Sequence, residues 1–364
     1  MSDLDASFLI QVIWLVLLLL MLTGLYQRIQ IKLWVLVIKS KLNLIKGIFE
    51  EDKFRVKSML RNMGLTTPEE LVSRLIDFFI IEPVSIEPTD IIKRMDHLLR
   101  VTEDTTRQVI GKYLPNLGKY ERSLVESSLS IVAAIGLIYR VLRHYAIQSE
   151  KEENYIVLMQ LMYLMPQILK VVKTYHEALD SFMYGKPVGD GVGPLVAYVL
   201  AEKCNVISRR VIDDTSVLEA MYENRRLIIV KAEGPGSNVG HPGAVVSRIV
   251  EELGGRVNMI LTVDAALKLE GEESGLIVEG VGAAIGDPGP EKIAIERVAA
   301  KYNIPLRALV VKMNIREALT TMRKKIYDSV GAVVENIERI IKEAVPEGST
   351  VVIAGIGNTM GIPG

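Results

Sequence analysis

Two aspartates stand at places where chain geometry can turn a carboxylate into a reagent. Asp264 ends the apolar run "VNMILTVDAAL", so a strand there would carry it out at its carboxyl end. Asp190 lies in "VGDGVGPLVAYVL", just ahead of an apolar helical pattern. Two carboxyls held close together share a proton and divide the roles of general acid and general base. With further ligands they can hold a divalent cation, the one cofactor this pattern suggests. Each also has a plainer use. Asp190 could cap a helix, worth about 1 kcal/mol, and Asp264 could make an Asx turn at a strand end. His241, in "EGPGSNVGHPG", is the one candidate for a third metal ligand beside Asp190 and Asp264, with a surface turn as its plainer fate. His97 and His144 have no His or Asp at helical spacing, and neither they nor His176 receive a role. Cys204 is the only cysteine, so no disulfide forms within the chain. On the helical pattern "GPLVAYVLAEKC" it reads as a small apolar filler.

Four unusual loops would surround the aspartates. They are residues 233–243, 280–290 ("GVGAAIGDPGP"), the stretch from Asp264 ("DAALKLEGE"), and the tail 355–364 ("GIGNTMGIPG"). Their candidate ligand-binding residues are Gly236, Asn238 and His241, then Gly286 and Asp287, then Gly355, Gly357 and Asn358. Candidate strands precede them: "NVISRRVI", "RLIIVKA", "VNMILTV", "GLIVEGVG", "LRALVVKM" and "TVVIAGI". Candidate helices alternate with these: "GPLVAYVLAEKC", "GAVVSRIVEELG", "PEKIAIERVAAKY" and a long one from Arg316 to Ala344. This alternation predicts a three-layer α/β domain with a mostly parallel sheet over residues 185–364. In a parallel sheet the carboxyl ends of the strands share one edge, where α/β proteins bind ligands. The loops are therefore expected to converge. Singly, each glycine has the simpler explanation of a tight strand–helix turn.

Two further regions precede that domain. Residues 49–184 read as an all-helical domain. "TPEELVSRLIDFFII" opens with Thr, Pro and two Glu, a helix start. The patterns "YERSLVESSLSIVAAIGLIYRVLRHYAI" and "YIVLMQLMYLMPQILKVVKTYHEALDSF" approach membrane spans. Their internal charges and Pro166 favour buried core helices, with Met159, Met162 and Met165 as filler. In residues 1–48, "FLIQVIWLVLLLLMLTGLY" (8–26) carries no charge and, at about 1.5 Å per residue, matches one hydrocarbon core. Asp3 and Asp5 precede it, and Arg28, Lys32, Lys39, Lys41 and Lys46 follow it. The expectation is an uncleaved single-pass anchor in the cell membrane with the bulk of the chain cytoplasmic. Residues 29–48 either lie along the membrane surface or continue the anchor helix into the helical domain. A net charge of −1 argues against nucleic acid as partner. The bilayer, and a second copy of the chain through the apolar helices, are the partners expected.

The tail "VVIAGIGNTMGIPG" followed by "VGDGVGPLVAYVL" resembles the strand, GxGN loop, DGxG and helix that open the hydrogenase maturation proteases. It resembles the matching segment of the spore germination protease too. Both have the phosphorylase/hydrolase-like α/β fold. "AEGPGSNVGHPGAVVSRIVEEL", "VNMILTVDAAL" and "GVGAAIGDPGP…NIPLRALVVKMNIREA" resemble successive segments of the germination protease. The likeness covers about the last half of the chain. It implies a circularly permuted domain, in which the half-site of the tail is completed by residues 189–194. It also implies that Asp190 and Asp264 match a pair implicated in peptide cleavage in the germination protease. In the maturation proteases, an acidic residue and an aspartate at those places help bind nickel with a histidine. Asp287 and Lys312 depart from that pattern and alter the charge. The whole chain is similar to a family of archaeal membrane-anchored proteins of unknown function.

Three functions follow as alternatives. The first is a membrane-anchored hydrolase, peptidase-like, using Asp190 and Asp264. The second is a non-catalytic membrane scaffold that oligomerises or binds a small ligand. The third is an anion site at helix N-termini, the weakest, because the chain has no Walker motif.

Overall fold

In a computed structural model of the chain, residues 8–15, 18, 25–81, 88–286 and 289–364 are described. Among the described residues, five helices run between Leu25 and Met183: α1 (Leu25–Asn62), α2 (Pro68–Ile76), α3 (Pro88–Tyr113), α4 (Lys119–Lys151) and α5 (Tyr155–Met183). The chain divides into two compact units, residues 1–54 with 132–173, and residues 55–131 with 174–364. This division crosses the boundary expected near residue 184, because α4 and α5 each contribute residues to both units.

In the first unit, α1 buries Ile31, Val35, Ile38, Leu42, Ile45 and Phe49, spaced three and four apart as one helical face requires. Tyr155 stacks on Trp34 at 4.8 Å, and its hydroxyl donates to Gln30 Oε1 at 2.9 Å. Residues 29–48 are thus part of one continuous helix packed on its neighbours. Of the anchor expected at residues 8–26, residues 8–15 and 18 are helical and exposed, and 25–26 open α1. The remainder lies outside the described residues.

Helices α4 and α5 are long and apolar enough to cross a membrane by length and composition, yet only 39% and 28% of their most apolar windows are buried. The expectation of buried core helices is therefore only half met. Leu129, Val132, Ile135, Leu158 and Leu161 are buried, while Leu137, Tyr145, Met159 and Tyr163 face outward. Of the three methionines read as filler, only Met165 is buried.

The second unit holds a seven-stranded sheet. Its strands are β1 (Asn205–Ile212), β2 (Thr215–Tyr222), β3 (Arg225–Ala232), β4 (Met259–Leu267), β5 (Ile277–Val281), β6 (Leu306–Met313) and β7 (Thr350–Gly355), in the order β1-β2-β3-β7-β4-β6-β5. Only β3, β7, β4 and β6 run parallel. The pairs β1–β2, β2–β3 and β5–β6 are antiparallel, so the sheet is mixed rather than mostly parallel. Strand β2 has no counterpart in the sequence reading. Its two hairpin turns use Asp213-Asp214 and Glu223-Asn224, all at positive φ, without the glycine that usually marks such turns.

Five helices complete the layers: α6 (Val192–Lys203), α7 (Pro242–Glu252), α8 (Pro290–Tyr302), the short α9 (Ile315–Leu319) and α10 (Lys324–Ala344). Helices α6 and α10 cover one face of the sheet, α7 and α8 the other. On α10, Ile326, Val330, Val333, Val334, Ile337, Ile340 and Ile341 form the buried stripe. Each such side chain contributes roughly 1.5–3 kcal/mol on burial. The single helix expected from Arg316 is broken, because Asn314 and Glu317 close a capping box around α9 and Thr320 turns extended.

Candidate functional site

Strand β7 lies at the middle of the sheet, and its carboxyl end meets the turn that precedes α6. The two segments fit only because they lack side chains. A Cβ on Gly193 would stand 2.2 Å from the Ile356 carbonyl oxygen and 2.5 Å from that of Val263. One on Gly355 would stand 2.4 Å from the Gly193 oxygen. Gly357, at φ +132°, would put its Cβ 2.0 Å from the Asp190 oxygen. Across this seam the Asn358 N–H donates to Asp190 Oδ2 at 2.9 Å. The tail and residues 189–194, far apart in sequence, make one structure.

Asp190 sits in a 3₁₀ turn (Gly189–Gly191) and its side chain makes no capping bond to α6, so it is not an N-cap. Asp264 emerges from the carboxyl end of β4 and is buried. Its Oδ1 accepts the Ala265 N–H at 2.7 Å, the local turn bond expected at a strand end, and its Oδ2 accepts the Gly286 N–H at 2.9 Å. Burial holds the Asp264 carboxyl well above the usual carboxylate range, the charge of Asp190 pushes it further, and the two N–H bonds oppose this. Burial also raises Asp190, against the Asn358 N–H. Two coupled carboxyls of this kind take up and release protons as a pair. Of the two, Asp264 is pushed upward both by burial and by its neighbour's charge.

Both aspartates line one cavity of about 350 Å³, with His241, Gly286, Gly357 and Glu291 in its wall. The loop carrying Gly286 gets there by an unexpected route. Because β5 is antiparallel, its end lies at the opposite edge of the sheet. The chain then runs back along β4. The Gly282 N–H donates to the Leu306 carbonyl, the Ala284 N–H to Thr262 Oγ1 and the Gly286 N–H to Asp264. Thr262 and Asp264, two residues apart, share one face of the strand and guide it. Asp287 lies outside the described residues.

His241 is not a surface turn, as its side chain is only 16% exposed. Its main-chain N–H donates to Thr215 Oγ1, and its ring Nδ1 lies 3.3 Å from Glu291 Oε1. Glu291 Oε2 accepts the N–H groups of Gly243 and Ala244 in the first turn of α7. The bond to Glu291 raises the His241 pKa above its ordinary value, against desolvation. Among the described residues no three His, Cys, Asp or Glu side chains are grouped as a metal site. His241 is turned to Glu291 and, at 3.8 Å, to Glu103.

Gly236 and Asn238 line an adjoining cavity. Asn238 staples its own loop, donating to the Asp214 carbonyl and accepting the Gly240 N–H. Thr359 Oγ1 lies within 3.1 Å of the carbonyls of Glu233, Gly236 and Asn238 and pins that loop to the tail. Lys312 pairs with Glu272 at 3.6 Å and is not among the residues lining the aspartates' cavity. Burial pushes the Cys204 thiol up to about 11, which leaves it no role as a nucleophile.

Sequence reasoning missed Glu291, Glu103 and Asp96. Glu291 looks like an ordinary first-turn acid of α8. Asp96 and Glu103 lie seven apart on α3, one face of a helix, but nothing in their spacing says which domain they cover.

The molecule is thus a helical region followed by a three-layer α/β domain that carries a two-carboxyl cavity where its parallel strands end. The chain belongs to a family described as protein of unknown function DUF1512, with the N-terminal domain matched over residues 12–185 and the C-terminal domain over 188–363. Twelve chains of solved structures are similar, two of them as follows. One is a proteasome-assembly chaperone homologue of Mycobacterium tuberculosis, 12% identical over 44% of this chain and 83% of that one. The other is a PAC2 family protein of Streptomyces avermitilis, 15% identical over 45% and 84%. Both have a TM-score of 0.30. No curated protein matches the chain.

Proposed function

We propose that this protein is a membrane-anchored hydrolase with Asp264 as general acid and Asp190 as general base. The observation that carries this reading is that two carboxyls, both raised by burial and coupled by charge, line one cavity. The amide bond is the substrate class, taken from the sequence resemblance to the germination protease. In the reaction, Asp190 takes a proton from water as the water oxygen attacks the carbonyl carbon. Asp264 gives its proton to the carbonyl oxygen. Collapse of the tetrahedral adduct breaks the C–N bond, Asp190 returns its proton to the amine, and Asp264 recovers its own from the adduct. The anchor is residues 8–26, with the catalytic domain on the cytoplasmic side. Permutation accounts for a C-terminal strand at the centre of the sheet.

The test is cleavage of a proteome-derived peptide mixture, read by mass spectrometry. The protein should cut, and Asp190→Asn and Asp264→Asn should not, with melting temperatures near the parent. Equal turnover in either variant, or no cleavage by the parent, refutes the reading. A second reading has one observation behind it. Both Asp264 oxygens are taken by main-chain N–H groups, as in a structural staple. A non-catalytic ligand-binding scaffold would then show no cleavage and a large loss of stability in Asp264→Asn.

A further inference from the structure

The cavity of the two aspartates does not stand alone. A second cavity, of about 430 Å³, shares Glu103, Gly240 and His241 with it. A third, of about 470 Å³, shares Arg107, Glu126 and Asn238 with the second. All three belong to the unit of residues 55–131 and 174–364. One wall is helical. On α3, Asp96, Glu103 and Arg107 follow one another along a face from the first cavity to the third. Eleven residues at about 1.5 Å each make this wall roughly 16 Å long. The glycine-rich loop 234–241 lines all three cavities as well. Roughly 16 Å is the span of about five residues of extended chain.

We propose that the three cavities form one groove that takes an extended polypeptide, with the two aspartates at one end. The chemistry of the walls selects the ligand. Charges of both signs line it, with Glu103, Glu126, Asp214 and Glu233 beside Arg107 and Lys119. A polyanion such as nucleic acid would meet these carboxylates at every step. A polypeptide offers amide donors and acceptors and side chains of either sign. The inference rests on the proposed hydrolase for what happens at the aspartates, but not for the binding itself.

The test uses the full chain in detergent and fluorescein-labelled random-sequence peptides of two and of eight residues. Anisotropy reports binding, and mass spectrometry reports cleavage separately. Ser130 is exposed and borders the second cavity, so Ser130→Trp fills the groove without entering the core. The parent should bind octapeptides at least about tenfold more tightly than dipeptides, and Ser130→Trp should abolish that difference while Ser130→Ala keeps it. Octapeptides should also protect the amide hydrogens of residues 236–240 from exchange. Octapeptide binding without cleavage would keep the groove and refute the hydrolase. Cleavage or binding with no dependence on length, or a length dependence untouched by Ser130→Trp, would overturn the groove.

Discussion

Gly193→Ala tests whether the seam between the tail and the Asp190 turn is as tight as the site requires. The added methyl would lie 2.2 Å from the Ile356 oxygen, 2.5 Å from the Val263 oxygen and 2.8 Å from the Ile356 nitrogen. Ordinary contact begins at 3.4 Å, and every obstacle is backbone. Relief therefore needs the start of α6 to move by about 1 Å off the ends of β4 and β7, since no side chain can rotate away. Overpacking of this kind costs about 1–3 kcal/mol, and the rigid obstacles place this case near the upper end, at about 3 kcal/mol. For a unit of this size that is a fall of roughly 6–12 °C in melting temperature. The control is Gly331→Ala, in the exposed middle of α10 with nothing within 4 Å of the new methyl. It should gain about 0.5–1 kcal/mol by helix propensity. Thermal melts of both variants in the same detergent make the comparison, with amide exchange at Asn358 as a local probe. Gly193→Ala should expose that amide. A variant melting within a degree of the parent, with Asn358 still protected, would refute the close fit of the two segments.

Three other outcomes follow. Glu126 is pushed up to about 7 by burial, so the folded protein binds that proton more tightly than the unfolded chain and loses stability as pH rises from about 4.5 to about 7; Glu126→Gln should flatten urea-derived stability over that window. His241 is raised by Glu291, so its contribution is present below its unfolded pKa of about 6.5 and fades as pH rises through the folded value; in Glu291→Gln, NMR titration should find the His241 pKa lower and the upper end of that pH window shortened. Thr359→Val keeps the shape but removes the hydroxyl that meets three carbonyls, leaving buried acceptors short of a donor; it should cost about 1–3 kcal/mol in chemical denaturation.

The fold was legible where hydrophobic patterning is local. β1 and β6 fall on the very residues whose β-branched runs announce them, and α8 on its Pro-Glu start. β2 was hidden because its turns are built from Asp, Glu and Asn at positive φ rather than glycine. The direction of β5 was hidden as well. Its sequence is that of any short strand, and only its pairing with β6 makes it antiparallel. In the site, Asp190 and Asn358 could be read because unusual glycines flank them and mark close backbone approaches, and Asp264 because it ends the apolar run "VNMILTVD". Glu291 and Glu103 could not be. Their roles depend on which helix end and which cavity the tertiary structure sets beside them.

The central claim is that Asp190 and Asp264 act as one proton-sharing pair. Its most direct test is the carboxyl carbon titration of Asp264, by NMR with selectively labelled aspartate, in the parent and in Asp190→Asn. The account predicts a pKa well above the usual carboxylate range in the parent and a clear fall when the neighbouring charge is removed. An ordinary aspartate titration in the parent, or one that Asp190→Asn leaves unchanged, would contradict it.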